Sequence, residues 1–175
     1  MLNVHPIIVH FPVAFLTVYA LLECVRFKRI LQLPYIFYVK AVIVITGTLG
    51  SYAAFLSGNN IKSLYRGDAQ MFALVNRHSQ FAVATIWFFS FLALAYALDW
   101  CGRAQLPVRL NGRSRILLEK AIRIAHAMVE SPFIVIIAIV GLMLVTITGG
   151  LGGTIVYGPD IDPVASVIYK IFGPK

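Results

Sequence analysis

Four nearly uncharged stretches divide the chain, at 6–24, 35–57, 81–98 and 132–151. Each is close to the roughly 20 apolar residues that cross the hydrocarbon layer of a bilayer. A soluble surface helix would show an apolar stripe and a polar face; these stretches are apolar all round. The pattern predicts an all-α integral membrane protein: a four-transmembrane-helix bundle forming a single domain over 1–175. The third span has an extension, because GDAQMFALV reads as a helix start capped by Asp68 and carries the helix from 69 through 81 to 98. Between the third and fourth spans the pattern changes. Arg115, Glu119, Arg123, His126 and Glu130 recur at spacings of three and four, opposite Leu117, Ala121, Ile124 and Met128. This predicts a short cytoplasmic amphipathic helix over 113–130, lying on the membrane surface before the last span. The tail, 159–175, contains PVASVIYKIF, which reads as a short interfacial helix.

Local features refine the spans. Pro6 suits a first helical turn. Pro12 removes the bond to the carbonyl of Ile8 and predicts a bend near His10. Glu23 and Arg26, three residues apart, read as an ion pair at a solvated helix end. Gly47, Gly50, Ser51, Ala53 and Ala54 give the second span a small-residue packing face. Lys40, near an end of that span, is expected to snorkel to the interface. Glu23 and Asp99 sit at span ends, which leaves the span interiors without the carboxylates of a proton or cation path.

Composition agrees with the pattern and adds orientation. Of 175 residues, 59% are hydrophobic and 13% charged, with a mean hydropathy of +0.83; a soluble domain carries about 25% charged residues. The net charge of +8 would suggest nucleic acid in a soluble chain. Here the basic residues concentrate in two links: Arg26, Lys28 and Arg29 in the first, and Arg103, Arg109, Arg113, Arg115, Lys120 and Arg123 in the third. The second link has Lys62, Arg66 and Arg77, and the tail Lys170 and Lys175. Basic loops stay in the cytoplasm, so both termini are expected outside, with no nucleic-acid partner. Cys24 and Cys101 then lie at cytoplasmic ends, where thiols stay reduced.

The candidate chemistry is histidine chemistry. His5, His10 and His78 fall at the outer ends of spans one and three, and an intramembrane imidazole is a functional hypothesis by default. Two histidines on different helices at one depth can ligate haem iron from both faces. His5 and His10 do not share a helix face, since five residues turn a helix by about 500°. His10 and His78 are therefore the expected axial pair, with His5 in a lesser role. Gly150 and Gly153, in the cluster 149–153, would let a macrocycle approach the backbone. Arg66 and Arg77 would pair with its propionates. His126 reads as a surface residue of the charged stripe. The same three histidines could instead hold copper or zinc. No nucleophile–histidine–acid set or phosphate loop is visible.

The opening HPIIVHFP, His78 at the start of span three and the closing GGTIVYG at 152–158 resemble the bacterial membrane family called domain of unknown function 2231. The resemblance implies a four-helix inner-membrane domain, similar in topology to four-helix b-type cytochromes. Some members are joined to c-type cytochrome modules, which implies electron transfer. The expected function is that of a membrane protein binding haem b and passing electrons at the outer face of a bacterial inner membrane. Its expected partners are membrane lipid and a c-type cytochrome or other redox partner, with homo- or hetero-oligomers open. It reads as a carrier or subunit rather than a stand-alone enzyme. The alternatives are a cofactor-free accessory or anchoring subunit and an outer-face copper or zinc site.

Overall fold

A computed structural model describes residues 4–25, 33–105, 112–160 and 162–174. All of the regular structure in these residues is helical: α1 (His5–Ile8), α2 (His10–Cys24), α3 (Ile36–Ile61), a 3₁₀ turn (Lys62–Tyr65), α4 (Ala69–Arg103), α5 (Arg113–Glu130), α6 (Ile134–Tyr157) and α7 (Pro163–Phe172). Four of these stretches are long and apolar enough to cross a membrane: His5–Cys24, Ile36–Tyr65, Ala69–Arg103 and Ile134–Tyr157. Large apolar side chains such as Phe11, Leu49, Trp87, Phe91 and Met143 lie exposed around the outside, a belt that suits lipid better than water.

Local chemistry sets the helix ends. Pro12 has no N–H to give the carbonyl of Ile8, and the first span breaks into α1 and α2 at Val9. Asp68 caps α4 by accepting from the amides of Gln70 (2.9 Å) and Met71 (3.0 Å), and α4 then runs unbroken for 35 residues, about 52 Å. The glycine cluster does not end α6, which continues to Tyr157 and stops at Gly158, where φ is +88°. Asp162 caps α7 through the amide of Ala165, with Pro163 in the first turn.

The four long helices form a ring in which α2 packs on α3, α3 on α4, α4 on α6, and α6 back on α2. One end of the ring carries α1, the 3₁₀ turn and α7, and is called the terminal end; the other carries α5. Small residues permit the closest approach, as expected where apolar side chains gain little from avoiding lipid. A Cβ on Gly47 would lie 2.7 Å from Leu16 Cδ2, and one on Gly50 would lie 3.3 Å from Pro12 Cδ. The central core contains Leu16, Tyr19, Val44, Phe89, Leu92 and Tyr96. Aromatic rings join the diagonal helices α2 and α4: Tyr19 meets Tyr96 edge-on at 5.6 Å and Phe89 at 6.3 Å. A second core of Leu74, Leu151 and Ile168 seats α7. At the opposite end Ile122, Ala125 and Val129 hold α5 against the bundle.

Candidate functional site at the terminal end

His5 lies on the inward face of the first span. Seven residues advance a helix by nearly two whole turns, about 700°. His5, Pro12 and Tyr19 therefore continue one stripe, on which Pro12, Leu16, Tyr19 and Glu23 are buried. His5 Nδ1 is 2.9 Å from Ser57 Oγ, whose own hydrogen is donated to the carbonyl of Ala54 at 2.8 Å. The ring thus sits against both the Ser57 hydroxyl and the end of α3. His78, on α4, donates from Nδ1 to the carbonyl of Thr148 on α6 at 3.0 Å, which leaves its Nε2 as the acceptor of the neutral ring. The two rings lie within electrostatic reach of each other.

Both imidazoles are seated on glycine. A Cβ on Gly58 would come within 2.9 Å of His5 Cε1, and one on Gly152 within 3.2 Å of His78 Cε1. Two turns along α4 from His78, the Thr85 hydroxyl lies 3.0 Å from that of Thr148, each within hydrogen-bond reach of a carbonyl of its own helix. The terminal end thus offers two imidazoles and a pair of threonine hydroxyls, while the carboxylates of Asp68 and Asp162 there cap α4 and α7. Such a set can present lone pairs to a metal.

The structure does not bring His10 and His78 together. His10 is two residues from Pro12, about 200° around the helix. It is exposed, and its Nδ1 turns back to the carbonyl of Pro6. Of the two histidines of the first span, His5 is the one that turns inward, onto Ser57 and Gly58. The Ile168 side chain of α7 lies over Gly150, 2.5 Å from where a Cβ would stand. Gly153 has open space beside it. Arg66 and Arg77 are exposed, and Arg77 donates to Gln80 Oε1 at 3.3 Å. Two clefts open at this end. One is lined by Lys62, Asn76, Ser79, Gln80 and Val83, the other by residues that include Asp68, Met71, Thr154 and Tyr169; neither has a histidine in its wall.

The α5 end carries polar structure that sequence reasoning missed. Glu23 is buried at 1% exposure rather than solvated; Arg26 lies outside the described residues. Lys40 does not snorkel: its Nζ donates to Glu23 Oε2 at 2.9 Å, and the Tyr96 hydroxyl donates to Oε1. The Tyr19 hydroxyl is buried beside this set with no hydrogen-bond partner among the described residues. Asp99, also 1% exposed, accepts from Arg103 at 3.0 and 3.1 Å and lies 2.9 Å from His126 Nδ1. Arg103 also reaches Glu130 and lies 4.0 Å over the Phe37 ring, which stacks on Tyr96. Asp99, His126 and Glu130 lie close enough to share an ion, but the Arg103 guanidinium already bridges both carboxylates. The available signal was the stripe itself: Glu23 stands four residues beyond Tyr19, on the core face.

Comparison of the chain with protein-family models, curated proteins and solved structures finds no match in any of the three.

Proposed function

We propose that this chain is an integral protein of a bacterial inner membrane that holds a histidine-ligated redox centre, haem b, at the terminal end of its bundle and passes electrons there. The observation that carries the reading is the paired presentation of His5 and His78. His78 is held through Nδ1–H by the carbonyl of Thr148, and His5 through Nδ1 at Ser57 Oγ, the kind of outer-shell contact that orients a metal-ligating histidine. In donor chemistry His5 and His78 are the residues that would hold haem iron; His10 is turned outward. When bound, the haem would supply a one-electron couple. The chain's own residues orient the two rings, and the core around Leu16 and Phe89 separates them from the charged α5 end.

The basic links support an orientation with both termini outside and α5 on the cytoplasmic face. The motifs shared with domain of unknown function 2231 support the electron-transfer context and a c-type cytochrome or similar redox partner. A reporter that is active only outside the cytoplasm should work when fused after Lys175. Activity confined to fusions near Leu110 would reverse the topology.

A second reading is favoured by the tight seating of both rings on Gly58 and Gly152: a single copper or zinc ion between the same imidazoles, a ligand type that suits both metals. One preparation separates the readings. Protein made in haem-sufficient cells is examined by reduced-minus-oxidised visible spectroscopy and by metal analysis. The expected result is a Soret band that sharpens on reduction, lost in His5→Ala and His78→Ala and kept in His10→Ala. Stoichiometric copper or zinc with the same variant pattern would replace haem with the ion. Protein with neither would leave a cofactor-free accessory or anchoring subunit.

A further inference from the structure

The cleft beside the 3₁₀ turn has a chemistry of its own. Its volume is about 450 Å³, and its walls are Lys62, at the end of α3, and the α4 side chains Asn76, Ser79, Gln80 and Val83. Positions 76, 79, 80 and 83 recur at helical spacing, so α4 presents them on one face. The lining is rich in hydrogen-bond donors. Lys62 brings three N–H groups, Asn76 an amide and Ser79 a hydroxyl. Gln80 adds an NH₂, and its Oε1 accepts from Arg77 at 3.3 Å.

No carboxylate lines the cleft. Between positions 62 and 80 the chain has three cations, Lys62, Arg66 and Arg77, against the single carboxylate of Asp68. That carboxylate is occupied in capping α4. With that carboxylate occupied and Lys62 as its charged group, the cleft favours an anionic oxygen group over a cation.

We infer that this cleft is a binding site for a phosphate-type oxyanion, carried by a phospholipid headgroup or by free phosphate. A lone phosphate would leave most of a 450 Å³ cleft empty, whereas a glycerophosphate headgroup is of the size such clefts enclose, in the range of about 300–1,000 Å³. Residues 76–80 also lie directly before the apolar stretch that begins at Phe81, the depth at which headgroups meet a span. The lipid source rests on the membrane reading above; the oxyanion chemistry does not, and neither depends on a bound metal.

The test uses the full chain in a phosphate-free detergent, with thermal unfolding and calorimetry as readouts. The protein is titrated with short-chain phosphatidylglycerol, with a glycolipid of the same chain length and with inorganic phosphate. Saturable stabilisation by phosphatidylglycerol and not by the glycolipid is expected. Lys62→Gln should weaken it about tenfold or more, the scale of one charge-assisted hydrogen bond, while Lys62→Arg retains most of it. Arg113→Gln, at the opposite end, should bind as the wild type does. Equal saturation by inorganic phosphate would assign the site to the free anion. Equal stabilisation by the glycolipid would overturn the proposal. So would wild-type affinity in a Lys62→Gln protein whose unliganded unfolding temperature is unchanged.

Discussion

At the α5 end, Glu23 accepts from Lys40 and Tyr96, and Asp99 accepts from Arg103 beside His126. At the terminal end, His5 Nδ1 meets Ser57 Oγ and His78 Nδ1 donates to the carbonyl of Thr148. The first arrangement turns inward: two buried carboxylates are compensated by cations and donors from neighbouring helices. A buried charge without such compensation is costly, so the set ties α2, α3 and α4 into one register. The second arrangement joins helices through imidazoles, His5 to the end of α3 and His78 to α6. Charge closes the α5 end, and at the terminal end the two imidazoles are the groups proposed above to meet a ligand.

Breaking the closed end should have the largest effect. Glu23→Ala leaves the Lys40 ammonium buried without its carboxylate, and a loss of about 3–5 kcal/mol is expected, read as a fall in the unfolding midpoint in detergent. Replacing both Glu23 and Lys40 by Leu should recover most of it, because an apolar pair removes both charges together. If the single and double variants unfold alike, the pair is not what holds that end. Asp99→Asn should come next. It weakens charge-assisted bonds worth about 1.5–3 kcal/mol, and it should loosen α5, measurable as faster amide exchange over 113–130.

The middle of the bundle sharpens the contrast through packing. A Cβ on Gly141 would lie 2.7 Å from Phe89 Cζ and 2.9 Å from Phe88 Cε1, whereas Gly153 has open space. Gly141→Ala is therefore expected to cost about 1–3 kcal/mol through overpacking. Gly153→Ala should stay within about 1 kcal/mol of the wild type, because nothing obstructs its side chain. Equal losses at the two positions would mean that the Phe88 and Phe89 rings yield.

The smallest stability effects belong to the terminal end, where the functional effects should be largest. His78→Ala removes one neutral hydrogen bond to Thr148, about 1 kcal/mol, yet should abolish the haem band or the bound ion. His10→Ala should move stability by no more than about 0.5 kcal/mol and leave the cofactor in place. A His78→Ala protein that loses several kcal/mol would instead make His78 a structural residue like Glu23.

Length and polarity along the chain were enough to read four long apolar helices, the amphipathic stretch from Arg113 and the capped start of α4 at Asp68. These features depend on properties that each segment has alone: hydropathy, a 3.6-residue period and a side chain reaching its own backbone. The inward direction of His5 was also present, in its seven-residue spacing from Pro12. It could be used only once Pro12 was known to face the core at Gly50. The partners were beyond reach. That Glu23 meets Lys40 and Tyr96, that Ile168 covers Gly150 and that His78 bonds Thr148 depend on which helices are neighbours and at what depth. Those relations are set by side chains fitting across the bundle, between residues 17, 73, 18 and 70 positions apart in sequence. A periodic pattern fixes the direction a residue faces along its own helix, and only the assembled bundle decides what it meets there.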